Sequence, residues 1–299
     1  MTDKQSILIG NEGGNLYHFE PAKDSLVPIF KDDINEVIMG LEKRDGFLFV
    51  AAKSKIFKFE RDNFILIKTF SVDFEGWITR PDFHNIKIIN NFLYVTVTKR
   101  NEVWKFDLDL NLHKKYRIDP PNRHARIRSA DKFGINYNHL NNIFYNDNKF
   151  YVCLNILIEP YGMSGVCVLN SDMEEVDRFE YGWEAHNFII LDGKKLILCG
   201  SSGAIKKVNH PHKGGLLVDG KLAFEYNPDL YFCKDFSIDE NYIYIVGGTV
   251  KKRGYRALAN GILFILDRTF KPIFEREFVH SGGFCGCLLS DCDFSRVGG

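Results

Sequence analysis

Residues 183–200 read WEAHNFIILDGKKLILCG: a His-Asn pair, an apolar run, an Asp-Gly turn and a second apolar run. Two short runs of strand-forming residues on either side of Asp-Gly spell a β-hairpin. The same order recurs along the chain. Residues 81–97, PDFHNIKIINNFLYVTV, place His84-Asn85 on His186-Asn187, and NYNHLNNIFYNDNKFYVCL (136–154) brings His139 to the same place once a small insertion is allowed in its turn. FCKDFSIDENYIYIVGG (232–248), aligned on Ile238-Asp239, puts Cys233 in this column. FCGCLLSD (284–291) puts Cys285 there, and VIMGLEKRDGFLFV (37–50) puts Met39 there.

Each copy before residue 284 is followed by a second hairpin, as in VWKFDLDLNLHKKYRI, GVCVLNSDMEEVDRFE and GILFILDRTFKPIFEREF. In the clearest unit the strands are expected over His84–Ile89, Phe92–Thr98, Glu102–Asp107 and Lys114–Ile118. Four strands at a period of about 50 residues match the repeat of a propeller blade rather than a short solenoid turn. Six such units predict an all-β fold, a six-bladed β-propeller of four-stranded antiparallel blades. The N-terminal segment lacks a first strand and residues 284–291 supply one, so the two ends are expected to pair and close the array. No linker or low-complexity tract interrupts residues 1–299, and we expect a single domain.

Composition bounds the function. The 299 residues are 45% hydrophobic and carry 39 basic and 39 acidic side chains. This neutral balance argues against nucleic acid as partner. The N-terminus has neither a basic n-region nor an apolar core, and no stretch reaches the roughly 18 apolar residues of a membrane span, so a cytoplasmic protein without a membrane role is expected. Seven cysteines scattered through strand-like segments fit reduced, packed thiols.

In propeller topology the column lies at the start of each first strand, on the face that carries the longer loops. His84, His139 and His186 would come from adjacent blades. Three neutral imidazoles with open positions suit a divalent transition metal such as Fe, Mn, Cu or Zn. Asp82 and Glu184 precede two of these histidines by two residues, the strand spacing that places side chains on one face, and are candidate proton carriers. Cys233 and Cys285 are candidate ligands or nucleophiles; packing is the plainer reading of Met39, Cys287 and Cys292. Arg80, Arg123, Arg126, Arg128, Lys206, Lys207, Lys234, Lys251, Lys252, Arg253 and Arg256 fall on the same face and would orient a small anion. Within this set Arg80, Arg126, Arg128 and Lys234, with Trp183, Asn85 and Asn187, are the candidate substrate contacts, and Trp77 and Tyr255 would wall a pocket or pack the loops down.

The His-Asn repeats at His84-Asn85 and His186-Asn187 resemble those of arylsulfotransferase-type propellers. That resemblance implies metal-independent transfer of a sulfuryl group through a histidine. The expectation placed first is a metal-dependent enzyme acting on a small anionic organic molecule. The alternatives are sulfuryl transfer and a non-catalytic propeller binding a protein or carbohydrate on the same face. No P-loop, G-x-S-x-G elbow or paired C-x-x-C is present, which removes nucleotide, acyl-hydrolase and zinc-finger readings.

Overall fold

In the computed structural model, residues 4–33, 35–73, 80–119, 138–158, 163–200, 213–251 and 253–290 are described. They form an all-β fold, a six-bladed β-propeller, in two compact units: residues 1–71 with 230–299, and residues 72–229. The first unit begins with β1 (Ser6–Asn11), β2 (Asn15–Glu20), β3 (Ser25–Lys31), β4 (Ile38–Arg44), β5 (Phe47–Ala52), β6 (Lys55–Glu60) and β7 (Ile65–Ser71). The second contains β8 (Phe83–Ile89), β9 (Phe92–Val97), β10 (Glu102–Asp107), β11 (Leu112–Arg117), β12 (Leu140–Asn146), β13 (Lys149–Ile158), β14 (Met163–Leu169), β15 (Glu175–Trp183), β16 (Ala185–Leu191), β17 (Lys194–Cys199), β18 (Gly214–Val218) and β19 (Lys221–Tyr226). The chain then completes the first unit with β20 (Tyr231–Ile238), β21 (Tyr242–Thr249), β22 (Gly261–Asp267), β23 (Pro272–Phe278) and β24 (Phe284–Ser290).

Every sheet is a four-stranded antiparallel meander. The orders are β4-β5-β6-β7 and β20-β21-β22-β23 in the first unit, and β8-β9-β10-β11, β12-β13-β14-β15 and β16-β17-β18-β19 in the second. The remaining sheet, β24-β1-β2-β3, joins the two ends of the chain: Ile7 pairs with Leu289 and Ile9 with Cys287. The pairing expected from the incomplete first and last repeats is present, and β1 has no open edge.

Local chemistry accounts for the hairpins. Asp45-Gly46, Asn90-Asn91, Asp147-Asn148, Asp192-Gly193 and Asp219-Gly220 all hold both residues at positive φ, the two-residue turn whose twist matches that of paired strands. Asn, Asp and Gly occupy these sites because they tolerate the left-handed region. Other outer hairpins use a side-chain acceptor: Asp107 Oδ1 takes the backbone N–H of Asp109 and Asn111, and Asn170 Oδ1 that of Asp172 and Glu174. Within each unit, apolar faces of neighbouring sheets close on one another. In the second unit Tyr94 and Val103 meet Ile143 and Phe150, and in the first Ile7 and Phe19 meet Tyr244, Leu263 and Phe278.

All six first strands carry a β-bulge near their start, where one residue more than the partner strand is accommodated. Pairing skips from Ala185 to Asn187, from Cys233 to Asp235, from Ile38 to Gly40 and, against β1, from Phe284 to Gly286. In β8 it passes from Phe83 to Ile86 across a single partner position, and in β12 from Leu140 to Ile143. The residue just after the bulge then reaches the next sheet. Asn85 Oδ1 accepts the backbone N–H of Ile143 at 3.3 Å, and Asn142 Oδ1 accepts that of Phe188 at 3.0 Å while Asn142 Nδ2 donates to Asn187 Oδ1 at 2.6 Å. In the first unit Asp235 Oδ2 accepts the N–H of Cys287 at 2.8 Å.

Asn142, Asn187, Asp235 and the backbone they meet are buried, and stranding a buried N–H costs about 1–3 kcal/mol. We therefore expect Asn142→Ala to lower the free energy of unfolding in urea by about 2–3 kcal/mol, since it also strands the Asn187 acceptor. The half-buried His84→Ala should cost less. Equal costs would show that the cross-sheet bonds of Asn142 carry no particular weight.

Candidate functional site

The bulges define the column that the repeats suggested. In the second unit the first strands β8, β12 and β16 lie side by side, and the bulged residues are His84, Asn141 and His186. His139 stands two residues earlier. It is equivalent to Asp82 and Glu184: all three have positive φ, 50°, 61° and 39°, and their carbonyls accept the N–H of Asn155, Thr98 and Gly200, each at 3.1 Å. The insertion that aligned His139 with the other histidines is absent from the structure, because Asn141 lies as far before its turn as His84 and His186 lie before theirs. Asn142 thus joins Asn85 and Asn187 in the linking position.

The left-handed backbone changes the reading of the carboxylates. Asp82 and Glu184 precede the regular strand, so strand alternation does not bring their side chains beside the imidazoles. His84 Nδ1 lies 3.3 Å from the Asp82 backbone oxygen. The rings of His84 and His139 meet edge to face with centroids 5.3 Å apart, and Asn141 Nδ2 lies 3.4 Å from His186 Nδ1. Asn141 also donates to the Ala185 carbonyl at 2.6 Å, which ties β12 to β16. Each of the three imidazoles is half-buried.

A divalent metal needs several donor atoms converging at bonding distance. The described residues contain no group of three His, Cys, Asp or Glu side chains placed to hold one. His84 and His139 pack ring against ring, and His186 is turned to the Asn141 amide. The described arrangement therefore does not fit the three-histidine metal centre.

In the first unit β20, β24 and β4 lie side by side, and the bulged residues are Lys234, Cys285 and Met39. Cys233, expected in the column, is fully buried opposite Gly247. The β20 hairpin turn is longer than its counterparts, so alignment on the turn misplaces the strand by one residue. The Lys234 ammonium bonds Glu12 and lies 3.3 Å from Cys285 Sγ. Arg256 Nη1 approaches the same Glu12 oxygen at 3.9 Å, with its guanidinium 5.1 Å from the centre of the Phe232 ring. The side chains of Lys234 and Glu12 are 7% and 11% exposed and that of Arg256 30%, so the arginine forms the solvent side of the group. Glu12 is brought in by its backbone N–H, which donates to the Gly283 carbonyl at 2.8 Å.

Electrostatics follows from this packing. Burial alone would raise the Glu12 pKa, but Lys234, then Lys53 and Arg256, outweigh it and the carboxyl is held below its usual range. Burial alone would lower that of Lys234, yet Cys285 and Glu12 outweigh it and the ammonium is favoured. For Cys285 burial dominates, reinforced by Glu12, and the thiol is pushed up to about 12. Sequence reasoning named Lys234 and Cys285 but assigned them to separate roles, and it missed Glu12, whose only sequence mark is an acidic residue within a Gly-rich turn.

Trp183 is half-buried with its indole N–H on the Lys213 carbonyl at 2.7 Å. Arg80 is half-buried, Lys251 and Tyr255 exposed, and Cys287 buried. Trp77, Arg123, Arg126, Arg128, Lys206, Lys207, Lys252 and Cys292 lie outside the described residues.

No protein-family profile matches this sequence, and no curated protein sequence does. Among solved structures, the chain is similar to a protein of unknown function from Bacteroides caccae, with TM-score 0.64, 13% identity, and 96% of this chain and 98% of that one covered. It is similar to a chain of the nidogen/laminin complex, with TM-score 0.61, 9% identity, and 95% and 97% covered. It is also similar to a catalytically inactive virginiamycin B lyase from Staphylococcus aureus determined with quinupristin, with TM-score 0.51, 13% identity, and 79% and 71% covered. At these identities the likeness is one of fold, and activity has to be argued from side chains.

Proposed function

We propose that this protein binds a small anionic organic molecule at the Lys234 centre of the first unit. One observation carries the reading: a buried lysine and a half-exposed arginine share a single carboxylate, Glu12, which leaves a positive charge at the bulge of a first strand. Burying an ion pair is expensive, and a well-packed apolar residue usually serves stability as well or better. The structural link at this bulge is made by the neighbouring Asp235, so Lys234 is not needed for it. A carboxylate, sulfate or phosphate group on the solvent side of Arg256 would receive bidentate hydrogen bonds and balance the charge. The Phe232 ring beside the guanidinium offers an apolar wall for the organic part of the ligand.

The test is a calorimetric titration of the purified protein with phenyl phosphate, phenyl sulfate and benzoate. At least one should bind, and Arg256→Gln, a substitution at a half-exposed side chain, should weaken that binding tenfold or more. Absence of binding by all three, or equal affinity in the variant, would remove the Lys234 centre as the ligand site. Elemental analysis of untagged protein addresses the metal-dependent alternative. Stoichiometric metal that disappears from a folded His84→Ala, His139→Ala, His186→Ala triple variant would move the functional centre to the second unit.

The ion pair also predicts a pH dependence. The Glu12 pKa is depressed on folding, so its contribution to stability is present above the ordinary carboxylate range and is lost as pH falls through the folded value. At neutral pH Glu12→Gln should cost about 3–5 kcal/mol, because it leaves a buried ammonium without its partner. That penalty should shrink in acid, where the wild type loses the same charge. A penalty independent of pH in urea denaturation would show that packing, not charge, is what the substitution removes.

A further inference from the structure

Cys285 is within bonding reach of Lys234, and neither the fold nor anion binding requires a thiol there. We propose that the Cys285–Lys234 pair is an oxidative modification site at which a hydroperoxide joins Sγ to Nζ through a covalent sulfur–nitrogen bond. Three features of the group carry this. The two atoms are 3.3 Å apart. Both side chains project from bulges on the adjacent strands β20 and β24, which hold them in register. Glu12 accepts the ammonium hydrogen bond and is the route by which the nitrogen's proton leaves. All the described cysteines are buried; Cys285 differs in having an amine at its sulfur, whereas Cys287 Sγ, two residues on, lies 3.9 Å from the Tyr244 carbonyl.

The chemistry balances in two steps. The thiol reduces one molecule of hydrogen peroxide: the O–O bond breaks, one oxygen stays on sulfur as a sulfenic acid, and the other leaves as water. The second step draws on the small fraction of Lys234 whose proton has left by way of Glu12 to solvent. Its neutral amine attacks the sulfenic sulfur, the S–N bond forms as the S–O bond breaks, and the departing hydroxide takes a proton from nitrogen to leave as a second water. The net change is thiol plus ammonium plus one peroxide to sulfenamide plus two waters and one proton, which Glu12 passes to solvent, and a dithiol reductant reverses it. Because burial keeps Cys285 in its thiol form, the first step is slow, and the peroxide is supplied in excess.

The bridge has a consequence for the proposed ligand, and in this respect it rests on the anion-binding reading. A sulfenamide nitrogen carries no positive charge at neutral pH. Once formed, the bridge leaves Glu12 facing Arg256 alone and cancels the charge that would attract an anion, so oxidation would switch the centre off.

The experiment is intact-mass and peptide mass spectrometry of the full chain before and after hydrogen peroxide, with and without subsequent dithiothreitol. The proposal expects a species lighter by two hydrogens, a peptide containing Lys234 linked to one containing Cys285, and reversal by the reductant. Cys285→Ser and Lys234→Arg should each abolish the link. Oxygen added to Cys285 while Lys234 remains in its own unlinked peptide would overturn it, as would no change at Cys285 under peroxide that oxidises the methionines. Mass decides the bridge without reference to ligand binding. A bridge that forms in a protein binding none of the three anions would sink the anion reading alone, whereas anion binding without a bridge would sink this one alone.

Discussion

Much of the structure depends on one constraint that recurs within each unit: at three of the bulges, the side chain after the bulge accepts a backbone N–H of the neighbouring sheet. An antiparallel sheet satisfies its own ladder and leaves a bulge residue outside it. Asn85, Asn142 and Asp235 use the residue beside that irregularity to accept an N–H of the neighbouring sheet. The bond lies in a buried, low-dielectric setting where an unmade partner is costly, so it sets the spacing of the first strands. Once these are placed, the bulged residue itself is committed to a fixed position at the strand start, and its chemistry becomes a local choice.

The two units make that choice differently. In residues 72–229 the bulged positions carry imidazole, amide and imidazole, and the group is stitched together by Asn141 and by the edge-to-face contact of His84 and His139. In the other unit they carry ammonium, thiol and thioether. There the energetics are dominated by burial of charge: Lys234 stays ionised because Glu12 is close, and Glu12 stays ionised because Lys234, Lys53 and Arg256 surround it. Cys285, beside both, stays a thiol since its own burial prevails over the ammonium. Burying such a group costs desolvation that the pairing only partly offsets.

Much of this was legible in the sequence, and the failures have physical causes. The Asp-Gly and Asn-Asn turns announced the hairpins because only a few residue types tolerate their backbone, and the strands expected over 84–118 agree with those observed to within a residue or two. His84 and His186 were correctly paired. His139 was not, since a histidine in the left-handed conformation before the strand looks, in one dimension, like a histidine displaced by an insertion. Cys233 displaced Lys234 in the reading because strand length and turn length trade against each other when only their sum is visible. Asp82 and Glu184 stand in left-handed backbone just before their strands, where the two-residue rule of strand interiors does not apply.

What the sequence by itself determined is therefore the architecture: six copies of a four-stranded unit, their turns, and the pairing of β24 with β1, all of which follow from local backbone preference and from hydrophobic alternation repeated at a regular period. What only the tertiary structure decided is which residue fills each bulge and what it meets there. Glu12 and Lys234 are separated by most of the chain, and no local pattern marks them as partners. Their contact is made by strand register and sheet packing, which depend on every hairpin at once, whereas the turns depend on two residues each.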